Sequence, residues 1–181
     1  MKNLQFLTFA SLLTVMASCN STSKEKAPSE DEWLTIETSD YSIRHPKEWK
    51  QEANPQMGVE FMLMTARTSD KDEFKENVNL VIQDISNTNL DLEKYTAISE
   101  EQIMEGMQNA KIIISERSNR NGETAQRLVY SGMYADRELK FEQYYWIRNN
   151  NVFVLTLTCE ASQFDAYKDA GEGILKSFRL K

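Results

Sequence analysis

Apolar and polar positions alternate with period two over residues 33–38, 41–45, 59–66 and 78–85, each run bounded by polar or turn-forming residues. Successive side chains of an extended chain point to opposite sides, so this alternation predicts half-buried strands. Four further runs follow at residues 111–116, 125–133, 138–148 and 152–159, separated by Asn119-Arg120-Asn121-Gly122, Ala135-Asp136-Arg137 and Asn149-Asn150-Asn151. The last three stand so close together that they predict an antiparallel meander. Within 138–148, Phe141, Tyr145 and Ile147 share one parity and Tyr144 and Trp146 the other. A strand apolar on both faces is expected at the centre of a sheet covered on each side.

Two segments change period. Over residues 92–110, Leu92, Tyr95, Ser99, Ile103, Met107 and Ala110 fall on one stripe of an amphipathic helix that Asp91 caps. Ser99-Glu100-Glu101-Gln102 repeats a capping signature inside it and predicts a bend or restart there. Over residues 162–178, Phe164, Tyr167, Gly171, Ile174 and Phe178 face inward, with Ser162 and Asp165 as a capping pair and Gly171 and Gly173 weakening the helix. The pattern predicts an α+β fold, a central antiparallel β-sheet flanked by helices on both faces as an α/β/α sandwich.

The first residues follow neither period. Lys2, an apolar run from Leu4 to Val15 and the small residues Ala17 and Ser18 make a signal-peptide pattern over residues 1–18. The run falls short of the ~20 residues that cross a bilayer as a helix. After Cys19, residues 20–32 hold Pro28 but no apolar residue larger than Ala27, so burial cannot offset their ordering entropy. A flexible tether is expected there, reaching about 40 Å when extended, with a folded domain over residues 33–181. Met16-Ala17-Ser18-Cys19 resembles the lipobox of bacterial lipoproteins, with Met where Leu is usual. The resemblance implies that Cys19 carries a diacylglyceryl thioether and an acylated amino group, which anchor the protein to a membrane. Asn20 is not the Asp that retains some lipoproteins on the inner membrane, which favours the outer one.

Composition narrows the partners. Acidic residues outnumber basic ones by 28 to 21, and loss of the leader removes Lys2 as well, so the field of the molecule disfavours nucleic acid and anionic headgroups. With Cys19 lipidated, Cys159 has no partner for a disulfide; it shares parity with Phe153, Leu155 and Leu157 and is expected to be a buried, inert thiol.

At Tyr41-Ser42-Ile43-Arg44-His45-Pro46-Lys47-Glu48-Trp49 a short strand runs into Pro-x-x-Trp, which resembles the opening of PsbP-like domains, the superfamily that includes Mog1 and the DcrB lipoproteins. Asn77-Val78-Asn79-Leu80 is similar to the strand before that family's long helix, 92–95 to the helix start, 122–130 to the following hairpin strand and Ile174-Leu175-Lys176-Ser177-Phe178 to its closing helix. The likeness spans about residues 33–180. It implies an α/β/α sandwich and members that bind or stabilise other proteins, and it brings no catalytic residues and no cofactor.

The residues themselves offer little chemistry. His45 is the single histidine, so a Ser-His-Asp triad or a His-rich zinc site would depend on it alone; a structural role is expected. Asp70, Asp72 and Glu73 cluster without the spacing or glycine of an EF-hand, and Glu100 and Glu101 are helix neighbours that point apart. No metal site or phosphate loop is expected. Met57, Met62, Met64, Met104, Met107 and Met133 form either core filler or a soft groove for varied partners. Tyr130, Tyr144 and Trp146 form a candidate partner surface if the outer cover of their strands is incomplete, and core otherwise. The expected function is a non-enzymatic envelope lipoprotein, attached to the membrane through Cys19, that binds or stabilises a protein partner. The alternatives are binding of a glycan or lipid between the sheet and the 92–110 helix, or a carboxylate-dependent envelope hydrolase.

Overall fold

A computed structural model describes residues 32–52, 58–70 and 72–181. These form β1 (Trp33–Glu37), β2 (Tyr41–Pro46), β3 (Lys50–Gln51), β4 (Val59–Met64), β5 (Asn77–Asp84), α1 (Leu92–Gly106), β6 (Gln108–Arg120), β7 (Glu123–Tyr134), β8 (Arg137–Arg148), β9 (Asn151–Glu160), α2 (Phe164–Ser177) and β10 (Arg179–Leu180). Seven strands make an antiparallel sheet in the order β3-β4-β5-β9-β8-β7-β6, and a smaller sheet has the order β1-β2-β10. The expected meander is β7-β8-β9, with β6 added at its outer side.

Local chemistry sets the hairpins. Asn121 and Gly122 both have positive φ, as do Asn149 and Asn150, so each pair forms a two-residue turn whose twist matches the strands it joins. Gly and Asn tolerate this region best. Between β7 and β8 it is Ala135 that takes a φ of 51°, a position with a steric cost for its Cβ.

Each face of the large sheet buries its own core. On one face Val78, Leu80, Tyr144, Trp146, Leu155, Leu157 and Cys159 pack against Phe164, Tyr167 and Ile174 of α2 and Tyr41 and Ile43 of β2. On the other, Leu128, Tyr130, Tyr145, Val152 and Val154 pack against Tyr95 of α1, with Leu92, Ile103 and Met107 alongside. Burying a side chain of this size stabilises the fold by roughly 1.5–3 kcal/mol, and these residues are spread over four central strands.

The α/β/α expectation needs correction: the chain is β-rich, and on one face α2 shares the second layer with the small sheet. Tyr41 and Ile43 point inward from β2, and the last residues complete its ladder, Arg179 opposite Ser42 and Leu180 opposite Tyr41. Strands as short as β3 and β10 carry no periodicity to read. The first helix ends at Gly106, not Ala110, because Met107 already has extended backbone angles and Asn109 a φ of 56° that lead the chain into β6. Asp91 caps α1 by accepting from the Lys94 N–H at 2.8 Å, as expected. The restart at Ser99 does not occur, because its buried hydroxyl donates to the Tyr95 carbonyl at 2.9 Å within one unbroken helix. Nor do Ser162 and Asp165 cap α2, which begins at Phe164 behind Gln163 with no side-chain cap.

Gly171 and Gly173 have a packing role that propensity does not suggest. A Cβ at Gly171 would lie 2.6 Å from Leu157 Cδ2, and one at Gly173 2.8 Å from the Trp33 ring. Two bare backbone positions therefore let α2 sit directly on β9 and against β1.

Candidate functional site

The aromatic residues offered as a partner surface do not form one. Tyr130, Tyr144 and Trp146 are only 6%, 1% and 3% exposed. They also lie on opposite faces: Tyr130 is opposite Phe141 in the β7–β8 ladder and stacks on it at 4.6 Å, whereas Tyr144 and Trp146 stack on each other, with Trp146 5.0 Å from Phe178. The physical reason is that both faces are covered, so aromatics of either parity become core. Cys19 and Met57 lie outside the described residues.

Other candidates are structural. His45 is buried, its Nδ1 2.9 Å from the Pro46 carbonyl oxygen to which it donates. Cys159 is fully buried, and desolvation pushes its thiol well above the usual range, which makes it a poor nucleophile. Asp72 folds its own loop by accepting from the N–H and hydroxyl of Thr68, both at 2.8 Å. Glu73 accepts from Arg137. The three acidic residues of that loop do not converge, and among the described residues no group of His, Cys, Asp and Glu could hold a metal ion. The methionines divide: Met107 packs on the α1 side of the sheet, Met62 and Met64 are partly buried on β4, and Met104 is exposed.

The charged groups that matter were not singled out by sequence patterning. Glu142 is 1% exposed yet lies in a strand of aromatics, sharing parity with Tyr144 and Trp146. Its Oε1 accepts from Arg127 Nε at 2.9 Å and from the Tyr144 hydroxyl at 3.2 Å, and Arg127 Nη1 also reaches Glu116 at 3.1 Å. Arg120 lies over the Tyr144 ring, 4.4 Å from its centroid, and donates to the same hydroxyl. At the start of β8 Arg137 bridges Glu73 at 2.9 Å and Glu160 at 2.6 Å. Next to this bridge Glu76 is 3% exposed, and burial pushes its carboxyl up to about 7. The available signal was an acidic residue at an inward parity of an apolar strand, for Glu142 beside Tyr144 and for Glu76 two positions before Val78.

On the α1 face a chain of amides and hydroxyls crosses the sheet. Tyr145 donates to Gln143 Oε1 at 2.6 Å, Gln143 donates to Thr156 Oγ1 at 3.0 Å, and Thr156 stands opposite Asn79, whose buried Oδ1 has no hydrogen-bond partner. Tyr95 of α1 donates to Gln83 Oε1 at 2.7 Å. Among the described residues the remaining open feature is β6, thirteen residues long, which pairs there with β7 alone and carries Ile113 at 46% exposure. Two irregularities of register interrupt its ladder, one of them at Ile113.

No protein-family model matches the sequence, and a search of curated proteins finds no match. Solved structures do match in fold. Cyanobacterial PsbP (CyanoP) of Synechocystis sp. PCC 6803 superposes with a TM-score of 0.60 at 16% identity, covering 83% of this chain and 93% of its own. LpqN of Mycobacterium tuberculosis, described as involved in cell envelope biogenesis, has a TM-score of 0.60 at 12% identity, covering 82% and 90%. PA94 of Pseudomonas aeruginosa has a TM-score of 0.57 at 16% identity, covering 81% and 95%. The antiparallel sheet with its two helices is thus the PsbP-like fold.

Proposed function

We propose that the chain is a non-enzymatic lipoprotein of the cell envelope, held to the membrane by lipid on Cys19 and binding a protein partner along β6. The observation that carries the reading is the edge of that strand, which no other described strand pairs. Unpaired N–H and C=O groups along a long edge accept an added strand, with side-chain contacts supplying selectivity. Ile113 is turned to solvent at the bulge and offers an apolar contact there. The ionisable side chains support the same reading, since Arg127 with Glu142 and Arg137 with Glu160 hold strands together in place of a reacting centre. LpqN, of the same fold, is tied to cell-envelope biogenesis, which accords with an envelope role.

The test is a photoreactive residue at Ile113 in the full chain, with a second at Leu34, which is slightly more exposed but lies in the small sheet. Illumination of intact membranes should give one discrete protein adduct from Ile113 and none from Leu34. Equal patterns from both positions, or turnover of an envelope substrate by the purified chain, would overturn the reading. A second reading, a glycan or lipid held between α1 and the sheet, rests on the unpartnered Asn79 Oδ1. Native mass spectrometry with a retained ligand that Asn79→Leu abolishes would support it.

A further inference from the structure

The end of the β4–β5 ladder holds a carboxyl group that none of the roles above uses. Thr65 donates its N–H to the Glu76 carbonyl at 2.9 Å, and its hydroxyl lies 3.5 Å from Glu76 Oε2. The registers continue the row across the sheet, because Asn77 pairs with Thr158 and Lys140 with Cys159, which places Glu76 beside Cys159. Glu76 is 3% exposed and Cys159 fully buried.

The surroundings favour the neutral acid. No cation lies within ion-pairing distance of Glu76 among the described residues. Arg137, on β8, is committed to Glu73 and Glu160, and the Lys140 ammonium sits 4.1 Å from the Phe164 ring centroid. The charges that do face Glu76 are anions: Asp72 from the preceding segment and Glu160 from β9. Against desolvation and these charges stand the backbone N–H groups of Glu76 itself and Glu160 and the long contact from the Thr65 hydroxyl.

We propose that Glu76 is a proton-sensitive latch, which when neutral keeps residues 72–76 packed beside Cys159 at the end of the ladder and when ionised releases them towards water. The carboxyl is held at about 7 when closed and returns towards its ordinary value of 4.5 once solvated. The closed form therefore binds more protons than the open form between those limits. Opening must increase as pH rises through that window and level off above it. The difference permits an increase on the order of a hundredfold in the opening constant. Residues 72–76 carry Glu73 and its bridge to Arg137, so release would loosen the contact between that segment and β8.

Cys159 reports the opening. The full chain is labelled with dithiodipyridine, which reacts in acid as well as at neutral pH, and modification of the Cys159 peptide is quantified from pH 5 to pH 8. The rate relative to Glu76→Gln at the same pH removes the intrinsic chemistry of the thiol. That ratio should rise at least tenfold across the range, and a flat ratio would overturn the proposal. Because Glu76→Gln could itself disturb folding, the Glu76 carboxyl of the unaltered protein is also titrated by NMR. A midpoint more than one unit above 4.5 supports the latch, and an ordinary midpoint overturns it.

Discussion

Adding one methyl group to α2 tests whether the two layers are set by the bare backbone at Gly171. In an isolated helix Gly171→Ala would be favourable by about 1 kcal/mol, since glycine loses more backbone entropy on ordering. Here the new Cβ would fall 2.6 Å and 2.8 Å from the two Leu157 methyls and 3.2 Å from Cγ, where carbon atoms prefer about 3.5–4.0 Å. Leu157 is fully buried on β9 between β5 and β8, so its methyls have no solvent to move into. Overpacking costs about 1–3 kcal/mol, and two contacts under 3.0 Å with a fully buried side chain place this one in the upper half of that range, so the net expectation after the helix gain is a loss of about 1–2 kcal/mol. For a domain of this size that lowers the melting temperature by roughly 2–8 °C, which calorimetry or thermal circular dichroism resolves. Gly106→Ala is the matched control, because no atom lies within 4 Å of its added Cβ, and it should be neutral or stabilising by up to about 1 kcal/mol. Combining Gly171→Ala with Leu157→Ala should cost less than the two changes added together, since the small residue removes the clash. A Gly171→Ala protein that melts at or above the parent, or strict additivity in the double variant, would refute the reasoning.

Arg127→Ala should be the more damaging half of its ion pair, costing about 3 kcal/mol at neutral pH, because it takes the direct ion-pair partner from the almost wholly buried Glu142 and leaves it the Tyr144 hydroxyl and the more distant charge of Arg120. Glu142→Gln should cost less, since Arg127 is partly exposed and keeps Glu116 at 3.1 Å; urea denaturation of the two variants checks the order. Ala135→Gly should stabilise by about 0.5–1 kcal/mol, because it removes a Cβ from a φ of 51° at some cost in unfolded-state entropy, and thermal melting reads the sign. Cys19→Ala should leave folding intact and abolish lipid attachment: the native chain should incorporate labelled palmitate and the variant none. A native chain without label would make this an ordinary secreted domain.

Most strands were legible because a strand with one or two buried faces writes that burial into its own sequence. Runs such as residues 138–148 and 152–159 showed their extent within a residue or two, and their connecting turns showed through Asn and Gly. Asp91 was legible as a cap because a cap is a local hydrogen bond. The C-terminal limit of α1 was not, since Ala110 continues the helical stripe while the chain has already turned into β6, where pairing with β7 decides its conformation.

The sequence by itself carried the periodicities, the acidic charge and the resemblance of residues 1–19 to a signal peptide with a lipobox, all properties of neighbouring residues. Only the tertiary structure decided which layer covers which face, and with it the fate of every ambiguous aromatic: Tyr144 and Trp146 went under α2, and Tyr130 to the α1 side. It also decided why α2 carries two glycines and why Glu76 lies buried among anions, because Leu157, Trp33, Asp72 and Glu160 reach those positions through strand register and helix docking. Parity assigns a side chain to a face of its own strand, but what opposes it there is set by contacts between residues far apart in the chain.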